Sequence, residues 1–460
     1  MKIYNTLTKQ KEDFIPRHDK KVQMFVCGPT VYDYIHIGNA RTFVIFDALA
    51  KYLRYQNYDV DYIQNITDID NKIIEQAEKE GVDYLKYAKK YSNVFKKDIE
   101  SLGITSPEYK NATDHIPEVI KQVQTLLNKN CAYVLEGDGI YFDLSMFLDY
   151  GKLSGRTANM ANDAVSRIDD SDKKRNRGDF ALWKFSQSGD PSWPAPFGNG
   201  RPGWHIEDTS ITEKYFGPQY DLHGGGQDLI FPHHEAEIAQ QESASGLKPF
   251  VKYWMHAGFL VNKDQKMSKS LGNFMTLNDA LKNYSSETLR FYFLSAHYRS
   301  SLDFSTEILK QAEAAVSRIG EFKNRINFHN TSGKKVDEKE EKEFGMICDQ
   351  IFEAMDDDFN TPQTIGYFFE LTHRLNILID DGIDVSQFEP LSKIIELFDS
   401  VFGVVPAKIE VDPEIDKLVQ TREKARQAKD FQEADKLRSQ IESLGYQIDD
   451  TGYGTWVKKK

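Results

Sequence analysis

The hydrophobic and polar positions near the start of the chain predict a parallel βαβ unit. The apolar run MFVCG (24–28) is typical of the end of a buried strand, and VDYIQNI (60–66) is typical of a second strand. Between them, ARTFVIFDALAKYLRY (40–55) has apolar residues at helical spacing. Ligands of such sheets bind at the carboxyl ends of the strands, so we expect the chemistry in the loop after the first strand.

The same patterns continue along the chain, with helical spacing dominating the second half. The charged, aperiodic stretch 160–178 is interpreted as a loop within an insertion. The other predicted elements are helices at about 68–80 and 116–129, a strand, glycine turn and helix over 220–241, a strand at 253–261, helices over about 305–403, a helical hairpin at 421–445, and a strand-like tail. The fold class is therefore α/β.

Composition places the chain among ordinary globular proteins. With 460 residues, and roughly 100–200 residues per domain, we expect several domains. No apolar run approaches the roughly 18 residues of a membrane span, and the first ten residues lack the apolar region of a signal peptide. Cys27, Cys131 and Cys348 are too few and too scattered for a disulfide framework. We expect a cytoplasmic protein that does not bind a membrane.

The formal net charge of −13 argues mildly against a nucleic-acid partner. Contacts to phosphates require a local basic surface rather than a basic average, so this charge does not exclude one. Near the C-terminus, Arg422, Lys424, Arg426 and Lys429 place positive charge on one predicted helix. The sequence therefore leaves an RNA partner open.

A first candidate motif, HIGN (36–39), stands where the predicted loop meets the first helix. The glycine at Gly38 allows the backbone to approach a phosphate closely. The helix N-terminus attracts anions, and the imidazole of His36 beside it can donate to a triphosphate. Taken alone, the motif is equally consistent with a histidine in a turn that begins a helix.

A second candidate motif, KMSKS (266–270), places two lysines among small polar residues ahead of a glycine. A loop of this kind can bring the ammonium groups of Lys266 and Lys269 over a pyrophosphate leaving group. The alternative for this pentapeptide alone is a solvated basic loop.

A third group of residues has the chemistry of metal ligands. Cys27 ends the first predicted strand, while His233 and Glu237 have i, i+4 spacing on a predicted helix and project from one face. Thiolate, imidazole and carboxylate are the side chains that bind zinc. From the ligand types alone, a buried structural cysteine and a capping histidine remain the alternative.

The motifs HIGN (36–39) and KMSKS (266–270), in this order and widely separated along the chain, resemble the paired signatures of class I aminoacyl-tRNA synthetases. Longer strings resemble the cysteinyl-tRNA synthetases over nearly the whole chain. They are FVCGPTVYDYIHIGNARTF, NITDIDNKI, GRPGWHIE, HGGGQDLIFPHHEAEIAQ, YWMHAGF and KMSKSLGNF. The resemblance implies an enzyme that activates L-cysteine with ATP and Mg²⁺ and transfers it to the 3′ end of tRNA(Cys), with release of AMP and pyrophosphate.

The resemblance also implies roles for individual residues. The transition state of adenylate formation would be stabilised by His36, Asn39, Lys266 and Lys269. Asn39 stands where the family usually has a second histidine. An amide can still donate a hydrogen bond there. The implied ATP-binding residues are Gly38, Gly225, Asp228 and Lys269, and the implied cysteine-binding residues are Cys27, Thr67, Trp204 and His223.

The implied zinc ligands are Cys27, Asp208, His233 and Glu237, and here the sequence departs from the family. The family pattern is GWHIEC, whereas this chain has Asp208 at the last position. Aspartate keeps the charge of a thiolate and is a hard oxygen ligand that zinc accepts, so we expect zinc to be retained. The competing hypothesis is a metal-free pocket in which Asp208 only forms hydrogen bonds.

The resemblance implies a Rossmann-like catalytic domain, a helical bundle and a small α+β C-terminal domain. The predicted boundaries are 1–240 for the catalytic domain with an insertion at about 110–195, 241–304 for a connecting fold that carries KMSKS, 305–405 for the bundle and 406–460 for an anticodon-binding domain. A monomer is the family expectation.

Three other functions fit the sequence less well than this one. Related ligases join cysteine to an amino sugar, but they lack a full anticodon-binding end, whereas this chain continues for about 150 residues beyond HYRSSLDFS (297–305). A catalytically inactive RNA-binding module would predict damage to the ATP motifs, yet His36 and both lysines are present. A nucleotidyltransferase that does not use RNA would leave the C-terminal helices unexplained.

Overall fold

The structure is a computed structural model, and its described residues form two compact units. It describes residues 1–156, 173–187, 189–262, 265–266, 275–328, 334–406, 412–451 and 454–459. The first unit comprises Met1–Leu309 with Ala354–Pro362, and the second comprises Lys310–Glu353 with Gln363–Lys460. A short segment from the predicted helical bundle therefore packs with the first unit.

The first unit contains most of the strands. They are β1 (Lys2–Asn5), β2 (Gln10–Asp13), β3 (Lys21–Val26), β4 (Asp59–Ile66), β5 (Glu108–Asn111), β6 (Ala132–Leu135), β7 (Gly139–Phe142), β8 (Phe180–Phe185), β9 (Gly200–Pro202), β10 (Tyr220–Gly226), β11 (Val251–Ala257), β12 (Leu260–Asn262), β13 (Gln265–Lys266) and β14 (Leu302–Asp303). Its helices are α1 (Ile37–Tyr55), α2 (Asn71–Glu80), α3 (Tyr84–Ser101), α4 (Ile116–Asn128), α5 (Ile206–Phe216), α6 (Glu235–Ser245), α7 (Leu277–Asn283) and α8 (Ser286–Leu294).

A five-stranded parallel sheet, in the order β11-β10-β3-β4-β5, forms the centre of the first unit. All residues of β3 after the first are buried, which agrees with the apolar run that predicted this strand. The chain leaves β3 toward β4 on one side and later returns to β10 on the other. This reversal of strand order creates the crevice in which open α/β sheets bind ligands. The α/β class and its parallel sheet are confirmed.

Helix α1 follows the crevice and begins three residues earlier than predicted. His36 caps the helix, because its Nδ1 accepts a 3.2 Å hydrogen bond from the backbone N–H of Asn39. The helix contacts β4, β10 and α8, so most of its residues are buried, including the charged Arg41 and Asp47. Its continuous apolar character therefore reflects burial on several sides rather than one amphipathic face.

A second, antiparallel sheet, β6-β7-β8-β9, follows chain order and falls largely within the predicted insertion. Helices α2 and α4 correspond to the helices predicted at 68–80 and 116–129. Of the charged loop predicted at 160–178, residues 160–172 lie outside the described residues. The boundaries of the insertion and of the other domains remain predictions.

The second unit is mainly helical and ends in a strand hairpin. Its elements are α9 (Thr306–Phe328), β15 (Lys334–Lys335), α10 (Glu338–Asp356), α11 (Thr361–Asp380), β16 (Ile383–Asp384), α12 (Glu389–Glu396), α13 (Pro413–Gln427), α14 (Phe431–Ser443), β17 (Tyr446–Thr451) and β18 (Gly454–Lys459), with α9, α10 and α11 extending partly into the first unit. Within the described residues, no helix is both long and apolar enough to cross a membrane.

The predicted hairpin at 421–445 corresponds to α13 and α14, but α13 begins at Pro413. Asp412 caps it by accepting a 2.9 Å hydrogen bond from the N–H of Glu414, and the proline occupies the first helical turn. A small core joins the hairpin to β17, and it consists of Ile415, Val419, Ile441 and Ile448. The strand-like tail is the antiparallel pair β17 and β18.

Three of the four cations predicted for one helix lie on α13, whereas the fourth lies beyond its end. Arg422 is buried, and its guanidinium donates hydrogen bonds of 2.6 and 2.7 Å to the two carboxylate oxygens of Asp450. Arg426 pairs with the same carboxylate, and Lys429 follows the end of α13 in a left-handed backbone conformation. Arg422 therefore joins α13 to β17 instead of facing a nucleic acid.

Candidate active site

A cleft of about 300 Å³ opens at the carboxyl ends of β3 and β10. Its wall includes His36, Gly38 and Asn39 from the start of α1, together with Trp204 and Asp228 from later in the chain. Cys27 also lines it, so six residues predicted to serve ATP or cysteine lie around one cavity, at the position that the parallel sheet predicts.

The start of α1 forms the side of the cleft that suits an anion. Helix N-termini carry free N–H groups and a positive dipole end, and His36 stands at the cap. A Cβ atom at Gly38 would lie 2.9 Å from Nδ1 of His36, so a larger residue would displace the imidazole. Glycine at this position preserves the cap and leaves the cleft open.

The four predicted metal ligands converge beneath the cleft. They are Cys27, Asp208, His233 and Glu237. Their ligand atoms all lie within 4.8 Å of one another, and all four side chains are buried. Nε2 of His233 is 3.0 Å from Oδ2 of Asp208 and 2.9 Å from Oε1 of Glu237. The sulfur of Cys27 lies 3.5 Å from Oδ2 of Asp208 and 3.9 Å from Oε1 of Glu237.

Three elements bring these side chains together. Cys27 follows β3, Asp208 lies in the first turn of α5, and α5 packs against α6, which carries Glu237. His233 lies in the helical turn that precedes α6, so the i, i+4 spacing predicted for His233 and Glu237 does orient both toward the same point.

The electrostatics of this group fit a divalent cation. Burial, and then the carboxylates of Glu237 and Asp208, raise the pKa of Cys27 well above its usual value, so a thiolate there needs a nearby cation. Burial lowers the pKa of His233, but Glu237 and Asp208 outweigh burial and raise it to about 10. Among the described residues, Oδ1 of Asp208 and Oε2 of Glu237 have no hydrogen-bond partner. Buried oxygens of this kind are suited to a metal.

Two histidines complete a second possible ligand group that shares Cys27 and Glu237. Nε2 of His223 lies 3.3 Å from the sulfur of Cys27, and Nε2 of His234 lies 3.1 Å from it. Sequence reasoning assigned His223 to the substrate and missed His234. The pair HH at 233–234 was the available signal, because Glu237 is three residues beyond His234 and also shares a helix face with it.

Thr67 and His223 lie behind the cleft wall rather than on it. The hydroxyl of Thr67 donates a hydrogen bond to Glu207, and burial raises the pKa of that carboxyl well above its usual value. Gly225 also lies behind the wall, where a Cβ atom would come within 2.8 Å of the His234 ring. The substrate contacts assigned to these three residues stay predictions.

Trp204 forms an exposed apolar wall above the ligand group. Its side chain is 42% exposed, and its indole stacks on the ring of His233 with centroids 4.4 Å apart. The backbone of Lys266 pairs with Val261 at the end of β13, while Lys269 lies outside the described residues. The roles of both lysines therefore rest on the sequence motif.

Comparison with known proteins places this arrangement in a known class. The sequence matches the family described as tRNA synthetases class I (C) catalytic domain over residues 13–314. The fold resembles methionyl-tRNA synthetase of Mycobacterium tuberculosis in complex with methionyl-adenylate, with a TM-score of 0.61 and 16% identity over 84% of this chain and 90% of that one. It also resembles the Agrobacterium radiobacter K84 agnB2 LeuRS in its complex with tRNA and LeuAMS, with a TM-score of 0.61 and 9% identity over 86% of each chain. The catalytic unit is that of a class I aminoacyl-tRNA synthetase.

The C-terminal matches and the full-length relatives narrow the class. Residues 350–406 match the DALR domain, and residues 409–457 match the cysteinyl-tRNA ligase anticodon binding domain. The cysteine–tRNA ligases of Clostridioides difficile and Caldicellulosiruptor saccharolyticus are 44% and 43% identical to this chain, each over the full length of both proteins. The chain belongs to the cysteine–tRNA ligase family.

Proposed function

We propose that this chain activates L-cysteine with ATP to form cysteinyl-adenylate and then transfers the cysteine to tRNA(Cys). The products of the complete reaction are Cys-tRNA, AMP and pyrophosphate. The observation that carries this function is the convergence of four metal-ligand side chains beneath a cleft whose wall contains His36 and Asn39. Full-length similarity to cysteine–tRNA ligases supports the same activity.

The start of α1 binds the phosphates of ATP in this proposal. His36 and the amide of Asn39 border the cleft, where both can donate to a triphosphate accompanied by Mg²⁺. Asp228, on the same cleft, accepts from the ribose hydroxyls. These groups hold the α-phosphate for in-line attack by the substrate carboxylate, so their main contribution is orientation and charge stabilisation.

Lys266 and Lys269 stabilise the pyrophosphate that leaves. Attack of the cysteine carboxylate on the α-phosphorus breaks the bond to the β-phosphate and transfers negative charge to pyrophosphate. Two ammonium groups near that charge lower the barrier because their attraction grows as the bond breaks.

Zinc is the metal that we propose for the buried ligand group, held by Cys27, Asp208, His233 and Glu237. When bound, zinc supplies a Lewis acid that favours sulfur, and so distinguishes a thiol from a hydroxyl. The protein contributes burial, which excludes water, and the indole of Trp204, which limits the size of the substrate side chain.

The C-terminal part supplies the RNA specificity. The region after Val405, predicted as an anticodon-binding domain, matches the family anticodon domain over 409–457. We propose that it reads the anticodon of tRNA(Cys) while the first unit carries out the chemistry, and that the protein acts as a cytoplasmic monomer. The predicted domain boundaries, 1–240, 241–304, 305–405 and 406–460, are part of this proposal.

Two activities of the purified protein test the proposed function. Cysteine-dependent ATP–pyrophosphate exchange should require neither tRNA nor an amino sugar, and charging should require tRNA(Cys). His36→Ala should lower the exchange rate by about 10²–10³, whereas His18→Ala, a matched change at an exposed histidine, should not. Exchange that proceeds equally with serine, or cysteine transfer to an amino sugar but not to tRNA, would contradict the proposal.

A further inference from the structure

We infer that Arg41 is a positioning residue for ATP, because its guanidinium joins helix α1, which begins at the HIGN motif, to the cleft wall at Gly258 and Phe259. The inference rests on the proposed function, and it names a side chain that keeps two parts of the ATP-binding cleft in register. Gly258 and Phe259 line the cleft, whereas Arg41 is fully buried. Arg41 therefore acts through the backbone that it contacts.

The guanidinium of Arg41 donates hydrogen bonds to backbone carbonyls in two separate segments of the chain. Nη1 donates to the carbonyl oxygens of Gly258 and Phe259, at 2.9 Å each. Nη2 donates to the carbonyl oxygens of Ser300, at 2.7 Å, and of His297, at 3.3 Å. One side chain of α1 thus fixes the backbone of both segments.

These two segments approach each other so closely that the first requires a glycine. The N–H of Gly258 donates a 2.7 Å hydrogen bond to the carbonyl oxygen of Tyr298, and a Cβ atom at Gly258 would lie 2.4 Å from the carbonyl oxygen of Ser300. Just beyond this contact, β12 pairs in parallel with β14, and the chain continues from β12 to β13, which ends at Lys266. Arg41 therefore contacts the backbone where the strand that precedes the KMSKS motif begins.

A third part of the cleft is hydrogen-bonded to the same turn, His297–Ser300. The carbonyl oxygen of Arg299 accepts a 3.2 Å hydrogen bond from the side chain of Gln227. Gln227 precedes Asp228, which lines the cleft and accepts from the ribose hydroxyls in the proposed function. The turn thus contacts the segments on both sides of the nucleotide, and Arg41 connects it to the helix that begins at the phosphates.

The guanidinium of Arg41 is charged although it is fully buried. Burial lowers its pKa to about 10, which leaves it protonated at neutral pH. The dipoles of the four carbonyls compensate this charge. An apolar side chain of similar volume would avoid the cost of burying a charge, but it would lack the planar set of donors that reaches two segments at once. The residue is therefore suited to fixing backbone positions rather than to filling space.

Loss of these hydrogen bonds should impair the use of ATP and leave cysteine binding intact. Cysteine is proposed to bind at Cys27 and Trp204, which belong to segments other than those that Arg41 contacts. A displacement of about 1 Å in groups that orient a substrate can lower a rate by about 10²-fold. The two substrates should therefore respond differently to the same substitution.

Steady-state ATP–pyrophosphate exchange by the full-length Arg41→Met variant tests the inference. We expect KM for ATP to rise, kcat/KM for ATP to fall by about 10²-fold, and KM for cysteine to keep its wild-type value. Arg41→Lys keeps the charge but has its donors on a single nitrogen, so it should restore part of the loss. Arg290→Met removes another buried arginine of the same unit and is the matched control. It should lower stability without changing either KM, because a smaller folded fraction lowers only the apparent kcat.

Equilibrium dialysis with radiolabelled cysteine, in the absence of ATP, checks the second substrate directly, and Arg41→Met should bind it as wild type does. An unchanged KM for ATP, or an equal rise in both KM values, would overturn the inference. Circular dichroism identifies a variant that has failed to fold. If Arg41→Met does not fold, Arg41→Lys decides: a rise in KM confined to ATP supports the inference, and wild-type values for both substrates overturn it. A wild-type protein without cysteine-dependent exchange would instead overturn the proposed function.

Discussion

Nη1 of Arg290 lies 2.9 Å from Oδ2 of Asp47, and both side chains are buried in the catalytic unit. Lys51 places a second cation 2.8 Å from the same oxygen, and the N–H groups of Thr105 and Ser106 donate to Oδ1 at 3.2 and 3.1 Å. Helix α1, which begins at the cleft, is thereby joined to α8 and to the segment before β5. Removing the carboxylate charge should leave two cations in a buried place without compensation.

We therefore expect Asp47→Asn to lower the free energy of unfolding by about 3–5 kcal/mol, the usual effect of breaking a buried ion pair. Urea denaturation followed by circular dichroism measures it. Asp279→Asn, in an exposed pair with Lys282, is the matched control and should leave stability nearly unchanged. Equal stability of the two variants would show that the buried carboxylate is not required.

The same carboxylate should make stability depend on pH. Burial alone would raise the pKa of Asp47, but Arg290 and Lys51 outweigh burial and lower it below the ordinary value. A pKa that is lower in the folded state stabilises the protein above the unfolded pKa of about 3.9, and this contribution is lost as the pH falls through the folded value. The difference in stability between wild type and Asp47→Asn should therefore narrow in acid, and a constant difference down to the acid transition would contradict this assignment.

Lys269→Ala should lower the rate of adenylate formation and leave cysteine affinity nearly intact. The lysine belongs to the KMSKS motif, and an interaction made only in the transition state lowers kcat and kcat/KM together. The expected loss is on the order of 3–4 kcal/mol, or about 10²–10³ in the rate of pyrophosphate exchange. Lys282→Ala, an exposed lysine in α7, serves as the control. An unchanged exchange rate for Lys269→Ala would refute the role.

Removing the chain after Val405 should weaken tRNA charging and spare cysteine-dependent pyrophosphate exchange. Both ATP motifs lie before residue 310, and the family anticodon domain lies after residue 408. The contribution of this region to tRNA binding should fall with rising salt, because phosphate contacts release counterions. Full charging by the shortened protein would show that the region does not read RNA.

Much of the site could be predicted from the sequence because each part depends on residues that are close together in the chain. Buried strands are continuous apolar runs, so the position of Cys27 at the end of β3 could be predicted from 24–28 alone. Helical periodicity likewise placed His233 and Glu237 on one face, and the structure has them 2.9 Å apart. These predictions need only the few residues around each position.

The remaining features depend on which distant segments meet. His256 reaches His234 because β11 pairs with β10 in a register that sets His256 beside Gly225, and no local pattern reveals that register. Asp358 lies in a segment predicted to belong to the helical bundle, yet its carboxylate accepts hydrogen bonds from Tyr298 and Arg299 of the catalytic unit. Such contacts are made across long sequence separations, which periodicity cannot report.

The substitution at residue 208 makes metal removal an informative experiment. If zinc selects the substrate thiol, chelator treatment should remove cysteine-dependent exchange, and zinc should restore it. If the pocket instead selects by size and by the wall at Trp204, activity and rejection of serine should survive in metal-free protein. The thiol of free cysteine ionises with a pKa of about 8.5, far more readily than the hydroxyl of serine, so a Lewis acid can separate two substrates of similar size.

The measurement compares pyrophosphate exchange with cysteine and with serine before chelation, after chelation, and after zinc is returned. Mg²⁺ is kept in excess throughout, because ATP requires it and chelators also bind it. Asp208→Cys, which restores the residue usual in the family, is a useful matched variant: it should bind zinc at least as tightly as wild type, since thiolate is the softer ligand. A chelated wild-type protein that contains no metal, retains full activity with cysteine and still rejects serine would refute the role of zinc in this chain.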